Sequence, residues 1–199
     1  MRRLALLAVL AAGACTPHIA SGSYLCGPEQ QCPDNQLCNG PDNLCVAESL
    51  ARPFECTDPF PNPINDDAPS AGIPLAGLQC VSGVSESRGC LTDDDAGDWY
   101  QFDTPAGCTA VAVDVKVTFA LAFEPVALQL ATDNGTPAPV DSPCKNPLPE
   151  ETGSDVRCVH LTLPAGHHFA LGILHSASAD CSGRCTHNRY TLDLQLVTP

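Results

Sequence analysis

Basic residues are scarce in this chain. Nine Lys and Arg stand against 23 Asp and Glu in 199 residues, a formal charge of -14. A surface this acidic repels nucleic-acid phosphates and anionic head groups and favours divalent cations, which excludes a DNA or RNA partner. Aromatics are few, with one Trp, three Tyr and six Phe. Ala, Val, Leu and Pro are plentiful instead, as in a β-rich secreted domain with modest side chains. The longest apolar run, Leu4 to Ala14, is about half of a membrane-spanning helix. No later segment shows a helical stripe. Neither G-x-S-x-G nor H-E-x-x-H occurs, so two common hydrolase layouts are missing.

What is present first is an export pattern. In MRRLALLAVLAAGAC, Arg2 and Arg3 precede the apolar run, which closes on Ala12-Gly13-Ala14-Cys15. This ending resembles the lipobox of bacterial lipoproteins, with Ala12 where leucine is usual. The resemblance implies a signal peptide over residues 1–14 and a lipidated, palmitate-bearing Cys15 that anchors the mature chain; ordinary signal-peptidase cleavage is the alternative. Thirteen cysteines is an odd number, and lipidating Cys15 leaves twelve that can all pair. Losing Arg2 and Arg3 lowers the charge from -14 by two, to -16. Thr16 follows the cysteine instead of a retaining aspartate, which points to the outer membrane. Residues 15–24 read as a flexible tether.

Residues 25–47 hold Cys26, Cys32, Cys38 and Cys45 among Pro, Gly, Asn and Asp. So short a segment cannot bury enough apolar surface to fold unaided, and two disulfides are expected to substitute. Zinc held by the four thiolates is the rival, disfavoured by the lack of a C-x2-C pair and by an oxidising compartment. Residues 48–64 follow, with prolines at 53, 59, 61 and 63. They read as a stiff connector in which Cys56 ties to one neighbour.

From 65 to 199 the pattern has period two. Val111, Val113, Val115 and Val117 alternate with Ala112, Asp114 and Lys116. Similar rows run through Val126–Leu130, Val159–Leu163, Phe169–Ile173 and Tyr190–Leu196. Short strands separated by Gly, Pro and Asn turns predict a mainly β fold, an antiparallel β-sandwich. The segments NDDAPSAGIPLAG, DDDAGDWYQFDTPAG, LPAGHHFALGI and NRYTLDLQLV, in this order, resemble the bacterial pre-peptidase C-terminal domain. That family, a jelly-roll-like sandwich, also includes collagen-binding domains and is mostly non-catalytic. Eight cysteines exceed its pattern: Cys56, Cys80, Cys90, Cys108, Cys144, Cys158, Cys181 and Cys185. They are expected to staple loops, Cys80 with Cys90, Cys144 with Cys158, and Cys181 with Cys185.

The acid loop before Trp99 has two readings. Calcium-binding relatives take ligands from the domain's start and from this loop, which carries over to Asn65, Asp66, Asp95 and Asp98. Otherwise the aspartates cap and solvate the turn, Asp98 immediately before Trp99. Adjacent acids on one solvated loop lack the separation and apolar pocket that glycoside hydrolysis requires. Tyr100 and Phe102 share the core face; Trp99 covers the sandwich end or faces solvent. His160, His167, His168 and His175 are expected as ordinary exposed histidines, zinc or copper being the rival. Cys181-x3-Cys185-x-His187 reads as a disulfide loop and Asn134-Gly135-Thr136 as a sequon without use in a bacterium. The resulting reading is a non-catalytic envelope lipoprotein that binds a protein or polysaccharide, or serves a structural role, with calcium assisting. An accessory or inhibitor of an exported peptidase is the alternative, and an unrecognised hydrolase stands third.

Overall fold

A computed structural model describes residues 19–54, 67–80, 84–91, 96–108, 110–132, 135–144, 153–176 and 188–197. The signal segment, Cys15, Cys56, Asn65, Asp66, Asp95, Asn134, Cys181, Cys185 and His187 lie outside them. The strands are β1 (Gln36–Asn39), β2 (Leu44–Ala47), β3 (Ile73–Pro74), β4 (Val84–Leu91), β5 (Asp98–Asp103), β6 (Val111–Ala120), β7 (Val126–Thr132), β8 (Ala138–Pro139), β9 (Ser154–Leu163), β10 (His168–His175) and β11 (Asn188–Val197). Helical structure among the described residues is confined to three 3-10 turns, and no helix there is long and apolar enough to cross a membrane.

The protein is mainly β. Two sheets face each other, one ordered β3-β5-β10-β7-β8 and the other β4-β11-β6-β9. All pairings are antiparallel except the two-residue contact of β3 with β5. The alternation explains the layers. Val111, Val113, Val115, Val117 and Phe119 of β6 are buried, as are Tyr190, Leu192, Leu194 and Leu196 of β11. They meet Tyr100 and Phe102 of β5, Phe169, Leu171 and Ile173 of β10, and Val126 and Leu128 of β7 in one core. Each such side chain contributes about 1.5–3 kcal/mol on burial, so the period-two rows carry the fold.

Trp99 departs from expectation. It is buried on the outer side of β5, against Ala131, Ala170 and the half-buried Leu174. Gly172 is directly opposite, and a Cβ there would approach the indole to 2.8 Å. The ring therefore lies flat on a glycine and does not cap the sandwich end.

Disulfides join Cys26 to Cys38, Cys32 to Cys45, Cys80 to Cys108, and Cys144 to Cys158. Cys90 is also disulfide-bonded. The expected Cys80–Cys90 link is thus corrected. Strand β4 carries Cys90 about 20 Å along the sheet from Val84 at ~3.3 Å per residue, beyond the reach of one bridge. Cys80, which precedes β4, meets the turn after β5 instead. Four disulfides among the described residues are the chemistry of an exported chain.

The N-terminal module is no free bead. Its buried sulfurs share a cluster with Ala120, Ala122 and Phe123 of the sandwich. Arg189 of β11 donates to the carbonyls of Pro41 (2.8 Å) and Gly40 (2.7 Å) and to Asn43 Oδ1 (3.2 Å) in the β1–β2 loop. Its guanidinium also lies 5.0 Å over the Phe54 ring, which packs edge-on against Phe123. Residues 51–54 of the presumed connector are thereby docked. Residues 19–24 of the presumed tether are bonded too: Gly22 N donates to Cys45 O and Ala47 N to Ser21 Oγ.

Candidate functional site

Three places bear on function: the acid loop, the histidines and the outer face of the four-stranded sheet. Of the expected calcium ligands only Asp98 is described. It opens β5 with the same parity as Tyr100 and Phe102, so it is turned into the sandwich and buried. Its Oδ2 accepts a hydrogen bond from the Tyr190 hydroxyl, which lies 2.7 Å from the Tyr100 hydroxyl. Burial first, then the Asp98 carboxylate, push the Tyr190 phenol well above its ordinary value, so it serves as a donor. Asp98 therefore does more than open the strand, because its carboxylate is buried against Tyr190. It satisfies a polar seam between the sheets, and Gly89 leaves the room for it: a Cβ there would overlap the Tyr190 hydroxyl and stand 2.7 Å from Asp98 Oδ2.

Among the described residues, His160 does not gather with His168 and His175. His160 lies on β9 and meets Asp114 through Nδ1, whereas His168 and His175 lie at the two ends of β10 in the other sheet. His168 Nδ1 is 2.8 Å from Asp103 Oδ1, and His175 Nδ1 is 2.9 Å from Glu124 Oε2. The sheet order separates His160 from the other two. Each ring instead has its own carboxylate. The Cys26, Cys32 and Cys45 sulfurs stand within 4.8 Å of one another, but all three are consumed in disulfides, which removes the thiolates zinc would need.

Serine, histidine and aspartate do meet on β9. Ser142 Oγ accepts a hydrogen bond from the His160 main-chain N–H (3.2 Å), and the His160 ring faces Asp114. The hydroxyl thus accepts from the backbone of β9 while the ring meets a carboxylate of β6 on the outer surface of the sheet.

That surface is the outer face of the four-stranded sheet. Register sets its side chains in cross-strand rows: Val84, Gln195, Asp114 and His160, then Glu86, Asp193, Lys116 and Cys158, then Arg88, Thr191, Thr118 and Val156. The alternation that buries Val113 and Val115 already puts Asp114 and Lys116 outside. The pairing of Asp114 with His160, 46 residues apart, carries no local signal. A hollow of about 500 Å³ opens over the first two rows, walled by Pro143 beside the Cys144–Cys158 disulfide. A second of about 490 Å³ continues over the third row to Pro41 and Asp42 of the module. Three of the nine basic residues of the chain, Arg88, Lys116 and Arg189, stand on this one face. Partial burial lowers the Arg189 guanidinium, and Asp42 beside it works the other way. Among the described residues the Phe, Tyr and Trp side chains of the sandwich are all buried, so the face offers no exposed ring of these types for a sugar to stack on.

Compared with known proteins, the chain matches no family model and no curated sequence. Similar solved structures include the pre-peptidase C-terminal domain of a collagenase from Bacillus anthracis, at 14% identity and a TM-score of 0.38, covering 62% of this chain and 90% of that one. A periplasmic inhibitor of g-type lysozyme from Salmonella Typhimurium is similar at 13% identity and 0.38, covering 63% and 97%. A mutant of the Escherichia coli inhibitor gives 16% and 0.38, covering 63% and 98%. Scores this low assign neither function nor partner.

Proposed function

We propose that this is a non-catalytic, lipid-anchored protein of the outer membrane that binds another protein through the outer face of its four-stranded sheet. The observation that carries the reading is the walled trough itself, where Lys116, His160 and Arg88 stand among Asp114, Asp193 and Glu86. A trough with charges of both signs and no exposed aromatic ring suits a protein surface better than a polysaccharide. Cys15 supplies the anchor, and palmitate labelling of the whole chain, lost in Cys15→Ser, reads it. Calcium assists through Asn65, Asp66, Asp95 and Asp98, the last of which also accepts from Tyr190.

The test is capture from the native envelope on the whole chain, compared with a Lys116→Glu, His160→Ala variant and a Ser70→Glu control on the 3-10 turn beside the other sheet. A partner retained by the wild type and the control is expected to fall about tenfold on the double variant, the equivalent of ~1.4 kcal/mol. Equal recovery on all three would remove the trough from the account. A captured peptidase would specify the partner as an enzyme that the protein accompanies or inhibits.

A further inference from the structure

The four-stranded sheet ends on β4, which pairs with β11 alone. Such an edge leaves every second amide and carbonyl pointing away from the sheet, ready to pair with another strand. Among the described residues nothing meets those groups from Val84 to Gly89. The opposite edge is covered: Ser142 N donates to Cys158 O, and Cys144 is bridged to Cys158. On β4 the inward positions Ser85, Ser87 and Gly89 are small, and the outward Glu86 and Arg88 are exposed, 3.4 Å apart.

Those two charges are self-complementary. We propose that β4 is the contact between two copies of this chain, paired antiparallel about a two-fold axis through Ser87. In that register Ser87 faces Ser87 of the second copy, Glu86 faces its Arg88, Arg88 faces its Glu86, and Ser85 faces its Gly89. Opposite charges directly across a ladder attract, and like charges repel. Centring the axis on residue 86 sets Glu86 against Glu86, and centring it on 88 sets Arg88 against Arg88. An axis between two residues sets outward-pointing amides against inward-pointing ones and makes no ladder. Among the axes that set both Glu86 and Arg88 within the paired segment, charge and hydrogen bonding favour the one through Ser87, the only one that pairs the two with each other. The contact is isologous and closes as a dimer. Two four-stranded sheets become one, with the two troughs on a single continuous surface, which would raise avidity for a repeated partner. This goes beyond the proposed partner and does not depend on it.

The test uses the whole chain with one added cysteine, oxidised or bridged with a short thiol-reactive linker. Ser87→Cys is expected to give a covalent dimer that reduction dissolves. Glu86→Cys and Arg88→Cys are expected to give little alone and a dimer when co-expressed. Adding Arg88→Glu to Ser87→Cys should cut the yield about tenfold, and adding Glu86→Arg as well should restore it. That rescue separates lost pairing from lost folding. No dimer from Ser87→Cys, equal self-linking at 86, or a yield indifferent to Arg88→Glu would overturn the proposal.

Discussion

Gly89→Ala is expected to destabilise the sandwich by about 3–4 kcal/mol, an unusually large effect for one added methyl. The reason lies beneath β4, where the new Cβ would occupy the place of the Tyr190 hydroxyl. Tyr190 then has to withdraw from Asp98, and a buried carboxylate loses a donor. A hydrogen bond to a charged group contributes about 1.5–3 kcal/mol, and the overlap adds to that loss. Tyr190→Phe alone should cost about 2 kcal/mol through the lost bond. In the Tyr190→Phe background, Gly89→Ala should lose the part of its cost that comes from breaking the hydrogen bond, while the overlap with the ring carbon that bore the hydroxyl remains. Urea unfolding of the four variants measures this coupling. Additive costs would mean that Gly89 matters for some reason other than the seam.

Cys32→Ser with Cys45→Ser is expected to unfold the N-terminal module while leaving the sandwich folded. The bridge closes a loop with a separation of 13 residues, for which the chain-entropy estimate is about 3 kcal/mol. The module has little else to hold it, because its cluster consists of its own sulfurs, Phe54 and three residues lent by the sandwich. Amide exchange should therefore accelerate throughout residues 19–54 and stay slow in β6 and β11. Slow exchange in the module would show that the Arg189 clamp and the Phe54–Phe123 contact suffice without the bridge.

These two cases also show which parts of the molecule could be read in advance. The valines of β6 and the Tyr190–Leu196 row announced strands and a core face, because burial alternates with the pleat. The same rule held the position of Asp98: two residues before Tyr100, it had to face inward. The turn-cap reading rests on the local habit of aspartate and carries no sign of the bond to Tyr190, 92 residues away. The Cys80–Cys108 pairing was not legible, since it depends on where the β5–β6 turn lies in space. Nor was the docking of the module. The Gly40 carbonyl and Arg189 are 149 residues apart, and nothing in either neighbourhood marks the other. The His160–Asp114 contact likewise emerges only once β6 and β9 are in register.

The central claim is that the outer face of the four-stranded sheet meets a protein partner at the cell envelope. A photo-reactive residue placed in turn at Lys116, Thr191 and Ser70 of the whole chain, and illuminated in intact cells, addresses it directly. Adducts of one common mass from Lys116 and Thr191, with none from Ser70, are the expected result. Adducts from Ser70 alone, or equally from all three positions, would contradict it.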